Sequence, residues 1–561
     1  MIRPCLRGLD IMARWLTEKR GAGVVLALLF AAVAHIDLLN FLERRNAEVV
    51  VPFLQWSDEA FYYAFAHSLA FDGDADLTDQ FRFIAFGPVG KLMNGLYYGD
   101  YFAQPDMPMH SKVGFGTALL TLPFLLAARL AASLYESCGG PEVHRFAAVY
   151  LWAYKLGMLS WSFAGIAAGY ALLRRLGRPP KVAAAAVAAT VLGLSLGFYL
   201  IFQNAWTHVI SFAGVTLYLL LCARWHEDLK GRAGGTFRPL LPLLVGISGG
   251  VCCSIRFNNL LIMPVPLIAC VHEGWRRARE GTGIGRGFRP SALSSLGVIG
   301  AGYIIGFLPQ MLVWRSMYGE WLLNTYGRFR EPLYPYSKFF LHVLFSPLCG
   351  LFVWTPLALV ATAGMILGIR REGRASPWPW ICCYILLADV WFSGCFPGWH
   401  MGNSFGARYQ SDYTFVFAYG LSVVFMLARR GRAAWLALRA AVVILVLWNF
   451  YLMMAFRAYI IGAPDMWRAQ KPFAPGPLVA QREAVLRQFR KDLSTACDPG
   501  LYTDYRRRYP LMTPADLDLP TPEERERTFD PADEMGELER WRQRCIEYSE
   551  RIMNPPRQGS Q

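Results

Sequence analysis

The chain has 561 residues, of which 54% are hydrophobic and only 17% charged, with 56 lysines and arginines against 41 acids. Soluble domains carry about 25% charged residues, so long apolar blocks in a charge-poor chain exclude a soluble enzyme, a disordered chain and a small disulfide scaffold. The formal charge of +15 would point to nucleic acid on a polar chain, but basic clusters placed between apolar blocks point to membrane topology and exclude that partner.

A helix needs about 20 apolar residues to cross the hydrocarbon core. The first candidate is 22–42, preceded by Arg14, Lys19 and Arg20 and followed by no small-residue cleavage site. It is predicted to be an anchor helix with a cytoplasmic N-terminus. Residues 43–143 then read as a large outer loop carrying juxtamembrane helices. Ser57 is a plausible N-cap with Asp58 and Glu59 in the first turn. Apolar Ala60, Phe61, Ala64 and Phe65 predict that this helix lies on the bilayer surface. The run Asp72-Gly73-Asp74-Ala75-Asp76-Leu77 reads as a solvated turn. Its acids permit a divalent cation without requiring one, and they lack the EF-hand pattern.

Residues 99–105 read as a short hairpin leading to His110-Ser111-Lys112. The segment 113–134 is apolar enough to span. Counting it as a span, however, would place every basic connector outside. It is therefore read as an interfacial or re-entrant helix, with Pro123 and Arg129 as supporting irregularities. Further spans are predicted at 144–173, 183–202, 207–223, 240–256, 258–272, 291–315, 339–369, 376–395, 412–428 and 436–456, giving about 11 with the first. Alternate connectors are basic, as in Arg174, Arg175, Arg178 and Lys181, then Arg370, Arg371 and Arg374, then Arg429, Arg430 and Arg432. Between them, 203–207 carries no charge and 395–409 carries only Arg408. That alternation predicts the N-terminus and basic connectors on the cytoplasmic side, with the active face and the C-terminus outside.

The apolar blocks define a transmembrane domain over 1–456, and 457–561 is a polar outer region with a charged amphipathic helix at 531–553. Most of the 12 cysteines lie in apolar runs as small core residues. Cys497 and Cys545 stand alone in the polar region, where an oxidising compartment allows either a disulfide or two free thiols. No Cys/His spacing forms a metal site, and no phosphate-binding glycine loop is present.

The chemistry is expected on the outer side. A carboxylate at the membrane boundary, Asp58 or Glu59, can act as general base toward a hydroxyl. Lys112 at a helix N-terminus favours a nearby anion. Arg256, in the turn Arg256-Phe257-Asn258-Asn259, and Arg408 are scarce outer cations suited to phosphate. Gln203-Asn204-Ala205-Trp206-Thr207-His208 is a polar turn without charge.

These residues resemble the GT-C superfamily of polytopic glycosyltransferases, near the bacterial protein O-mannosyltransferases and aminoarabinose transferases. The resemblance rests on Asp58-Glu59, the Asp72–Leu77 run, His110-Ser111-Lys112 with Gly114 and Gly116, and His208. Phe345-Ser346-Pro347 through Thr355-Pro356 and Ser404-Phe405-Gly406-Ala407-Arg408 complete it, over residues 20–430. It implies an all-α, polytopic fold in a bacterial inner membrane with a periplasmic active site. It also implies a polyprenyl-phosphate sugar as donor, a glycan, glycolipid or protein as acceptor, and inversion in one step. Asp58 matches the family's catalytic carboxylate, with Glu59 as the alternative. Lys112, Arg256 and Arg408 would hold the donor phosphate, and His110, Asn204, His208, His400 and Tyr409 would orient substrate. Two other readings, a transporter or flippase and a polymerase or ligase of lipid-linked sugars, are weaker. Internal symmetry is lacking for the first, and 319–338 is too short for the large later outer loop of the second.

Overall fold

The computed structural model describes residues 57–77, 80, 111, 113–231, 238–282, 290–325, 333–347, 349–399 and 404–457. The first predicted span, the hairpin at 99–105, the helix at 531–553 and Cys497 and Cys545 lie outside the described residues. Within them every regular element is helical and no strand occurs, as the apolar blocks require. Six described helices are long and apolar enough to cross a membrane: Gly116–Ser137, Val149–Arg175, Thr207–Lys230, Ala292–Tyr318, Tyr409–Ala428 and Arg432–Phe456. The first of these contains the segment read from sequence as interfacial. The protein is a multi-pass, all-α membrane protein.

The described residues fall into two compact units. One comprises those within Leu39–Gly157 and Met311–Thr325, the other those within Met158–Gln310 and Tyr326–Gly476. In the first, α1 (Ser57–Phe71) packs on α2 (Gly116–Ser137). The expected one-sided surface helix is corrected here. Residues 59–68 are all buried, including Tyr62, Tyr63 and His67 on the supposed polar side. Aromatic packing explains this. Phe65 meets Phe115 edge-on, and His67 is stacked between Phe71 at 4.4 Å and Phe146 at 4.5 Å. The acidic turn is held by its own partners. Asp72 accepts two bonds from the Arg145 guanidinium at 2.6 and 2.7 Å, and Asp74 accepts from Ser68 Oγ and the Asp76 N–H.

α3 (Ala148–Arg175) leads into the second unit. Two spans predicted there as continuous are broken. The 183–202 segment becomes α4 (Pro180–Gly193) and α5 (Leu196–Phe202), bent by 71°. Gly193 and Ser195 flank the break, residues at which helices commonly kink. Asn449 Nδ2 donates to the Leu192 and Leu194 carbonyls at 2.8 and 3.2 Å, supplying bonds that the break removes. The 339–369 segment likewise becomes three helices. Pro347 and Pro356 force Ser346 (ψ 135°) and Thr355 (φ −127°, ψ 73°) out of helical geometry, because a proline ring clashes with a helical residue before it. The count of spans is therefore six, or seven with the bent pair, among the described residues. The segments predicted at 240–256 and 376–395 form helices of 16 residues each, Leu240–Ile255 and Trp378–Ser393, and that at 258–272 a 3-10 turn followed by the 13-residue Val265–Arg277.

Two close helix crossings set the second unit. α6 is Leu240–Ile255 and α7 is Pro290–Tyr318. They meet through Gly246 and Gly250 against Gly302 and Gly306, two small-residue repeats of four-residue spacing. A Cβ on Gly250 would lie 2.3 Å from the Tyr303 carbonyl oxygen, and one on Gly306 2.2 Å from that of Ile247. α8 (Leu357–Glu372) and α9 (Thr414–Ala428) cross similarly, with Gly364 against the Gly420 backbone. Without a hydrophobic force between helices in lipid, such approaches replace it with dispersion and backbone contact.

Candidate functional site

The sequence-predicted residues of the second unit converge on the start of α9. Residues Tyr409–Tyr413 form a 3-10 turn that presents Asp412 just ahead of the helix. Arg256 closes α6 in an extended conformation (φ −147°, ψ 130°), which turns its side chain out of the helix before the 3-10 turn Phe257–Ile262. His208 stands in the first turn of the helix Thr207–Gly231, following the polar turn 203–206.

These three side chains form one network. Arg256 Nε donates to Asp412 Oδ2 at 2.8 Å, and His208 Nδ1 lies 2.9 Å from Asp412 Oδ1. With the proton on Nδ1, His208 donates to Asp412, while Arg256 Nη1 lies 3.1 and 3.0 Å from Nδ1 and Nε2, against the ring. Asp412 is wholly buried, whereas Arg256 keeps 13% of its side chain exposed. Asn258 braces the pair, accepting from Arg256 Nε at 3.1 Å and donating to Asp412 Oδ2 at 3.3 Å. Tyr413 donates to the Asn258 carbonyl at 3.0 Å. A buried carboxylate needs such compensation, because desolvation of an isolated charge costs several kcal/mol or more.

The arginine fork faces an aromatic wall. Arg256 lies 5.3 Å from the centre of the Tyr409 ring, and Arg408 lies 5.4 Å from the same ring and 4.7 Å from that of Trp206. Two guanidinium groups thus meet at one tyrosine in cation–π contact. Gly406 adopts φ +54°, a left-handed conformation that carries the loop from Phe405 to Arg408. Beside them the turn 203–206 collects buried polar atoms. Gln203 Oε1, Asn204 Nδ2 and Trp206 Nε1 have no hydrogen-bond partner among the described residues. Buried polar atoms are nearly always paired, so a cluster of exceptions calls for a polar ligand or bound water.

Of the sequence-predicted residues, Asn204, His208, Arg256, Arg408 and Tyr409 therefore share one neighbourhood. Glu59 is buried on α1 in the other unit. The side chain of Asp58, and His110, Lys112 and His400, lie outside the described residues. Sequence reasoning missed Asp412, the residue that holds Arg256 and His208 together. An acid at the boundary of an apolar stretch was the available signal. Asp389 carries the same signal inside an apolar helix, and it accepts from Gln410 Nε2 at 2.7 Å. Among the described residues no group of three or more His, Cys, Asp or Glu could hold a metal ion.

No protein-family model matches the chain, and no curated protein does. Among solved structures the chain is similar to ArnT from Cupriavidus metallidurans bound to undecaprenyl phosphate, at 13% identity and a TM-score of 0.39, over 79% of this chain and 71% of that one. It is also similar to ArnT from Cupriavidus metallidurans in the apo state, at 12% identity and a TM-score of 0.42, over 94% of this chain and 76% of that one.

Proposed function

We propose that the protein is an inverting membrane glycosyltransferase that moves a pentosyl or hexosyl group from a polyprenyl-phosphate donor to a hydroxyl acceptor. The observation that carries this reading is the meeting of Arg256 and Arg408 at Tyr409. The donor is a phosphodiester of one negative charge, and its departing polyprenyl phosphate is a monoester of two. Preorganised cations aimed at that second charge lower the barrier to departure. Arginine forks suit the planar acceptor edge of a phosphate better than lysine.

The remaining parts follow from the resemblance of the sequence to GT-C enzymes. Asp58, or Glu59 in its place, accepts the proton of the acceptor hydroxyl as that oxygen attacks the anomeric carbon. The bond to the phosphate oxygen breaks on the opposite face, so configuration inverts. By that resemblance Lys112 is also assigned to the donor phosphate. His110, Asn204, His400 and Tyr409 orient the substrate, and His208 acts through Arg256 as a positioning residue. The site opens to the periplasm of a bacterial inner membrane, and the acceptor is a glycan, a glycolipid or a protein.

The test is release of polyprenyl phosphate by purified protein given a polyprenyl-phosphate sugar and candidate acceptors. Asp58→Asn is expected to lower the rate by about 10²–10⁴-fold with donor affinity retained. Arg408→Ala is expected to lower it by about 10²–10³-fold, with weaker donor binding. Movement of the intact lipid-linked sugar across the bilayer without release would make the protein a flippase and overturn the proposal.

A further inference from the structure

A second cationic cavity lies away from the Arg256 network, where α8 and α9 both end. It has a volume of about 670 Å³, within the range of small-molecule sites. Its floor is the nearly buried Arg178, whose Nη1 and Nη2 donate to the two Glu372 oxygens at 2.7 Å each. Ser422 and the Tyr419 ring hold Arg178 from behind, the former accepting from Arg178 Nε at 3.0 Å. Glu372 is thereby committed to Arg178 and to Tyr419, which donates to it at 2.9 Å.

Three more arginines, Arg371, Arg429 and Arg430, line the same cavity and are exposed. None of the three has an ion pair among the described residues. Four arginines against one glutamate leave a formal excess of three positive charges. Cations at helix C-termini favour the helices themselves, so charge alone would not point to a ligand. The apolar wall formed by Met426 and Leu427 does. A cavity lined by cations together with thioether and alkyl carbon matches a phosphate group joined to hydrocarbon.

We propose that this cavity binds the headgroup of an anionic phospholipid, with the phosphate at Arg371, Arg429 and Arg430 and the first methylenes against Met426 and Leu427. These arginines belong to the connectors that the charge pattern of the sequence assigns to the cytoplasmic side. That leaflet carries the anionic lipid that basic pockets between helices take up. Arg178 and Glu372 set the floor and need not touch the lipid.

The proposal is tested on the full chain in nanodiscs of phosphatidylglycerol or phosphatidylcholine, with retained lipid read by native mass spectrometry. Wild type is expected to retain phosphatidylglycerol and not phosphatidylcholine. The triple variant Arg371→Gln, Arg429→Gln, Arg430→Gln should weaken retention on the order of a hundredfold, at about fivefold for each basic residue near an anionic surface. Met426→Trp, which fills the cavity and keeps every charge, should also reduce retention and covers the case in which the triple variant fails to fold. Equal retention by wild type and Met426→Trp, or by wild type and a folded triple variant, would overturn the proposal. So would equal retention of the two lipids. Displacement of the lipid by millimolar inorganic phosphate alone would identify a soluble phosphate as the ligand and overturn the lipid assignment.

Discussion

Arg256 and Asp412 form an ion pair of 2.8 Å in which the carboxylate is wholly buried and the guanidinium remains partly exposed. The asymmetry matters, because the acid anchors the arginine from the protein side while part of the arginine stays exposed. His208 fills the second oxygen of Asp412, so the carboxylate is satisfied and the arginine is fixed in direction. A flexible arginine would lose rotamer freedom on binding an anion; one already ordered by Asp412 and Tyr409 loses less.

Asp412→Asn should therefore act on stability as well as on donor binding. Removing one partner of a buried pair costs about 3–5 kcal/mol, and the partial exposure of Arg256 places the expectation near the lower end. Denaturant unfolding in detergent measures it. Unchanged stability would mean that Arg256 is neutralised elsewhere. His208→Gln, which loses a bond but no charge, should cost less.

The glycine crossing of α6 and α7 gives a second expectation. At Gly250 and Gly306 an added methyl group would meet backbone oxygen, which cannot rotate away. Gly306→Ala should destabilise by about 1–3 kcal/mol, the usual range for overpacking. Gly297→Ala on the same helix, with no atom within 4 Å of the added carbon, serves as the control without a clash and should be unchanged or slightly stabilised. Equal transition temperatures for the two variants would remove the crossing from the account of stability.

Asn449 at the α4–α5 break offers a test of backbone satisfaction. Its amide donates to two buried carbonyls, and an unpaired buried polar group costs about 1–3 kcal/mol. Asn449→Leu keeps the volume and removes both bonds, so a loss of that size is expected in thermal unfolding. Asn449→Gln should not restore it, because the added methylene displaces the amide.

His67 makes the first unit sensitive to acid. Burial is the main reason its pKa is lowered from 6.5 to about 4; the hydrogen bond to the Arg145 carbonyl opposes the shift and the Arg145 charge adds less to it. The folded state then holds fewer protons than the unfolded chain between these values. Stability contributed by neutral His67 is complete above about pH 6.5 and is lost progressively as pH falls toward 4. The loss amounts to at most about 3 kcal/mol at 1.36 kcal/mol per pH unit. The unfolding midpoint of wild type relative to that of His67→Phe, measured from pH 7.5 to 4.5, should fall toward the acid end.

Much of this was legible in the chain. Apolar block length identified a multi-pass helical protein, because lipid leaves the backbone no partner but its own helix. Pro347 and Pro356 were present too, yet 339–369 reads as one span by apolar length, and the structure breaks it at both prolines. The paired glycine repeats were equally visible, and only their partners were hidden. Arg256, Arg408 and His208 stood out as polar residues where polarity is expensive.

The tertiary structure alone decided which of these residues act together. His208 and Asp412 are 204 positions apart, and no local pattern links them. Helix formation is settled by hydrogen bonds within four residues and by side chains within one or two turns. Neutralisation of a buried carboxylate depends instead on which helices can approach, and glycine contacts between backbones fix that approach. The same distinction explains α1, whose four apolar positions predicted one buried face. The stack of Phe71, His67 and Phe146 buried the rest, because an aromatic or imidazole ring counts as polar or apolar according to the neighbour it finds.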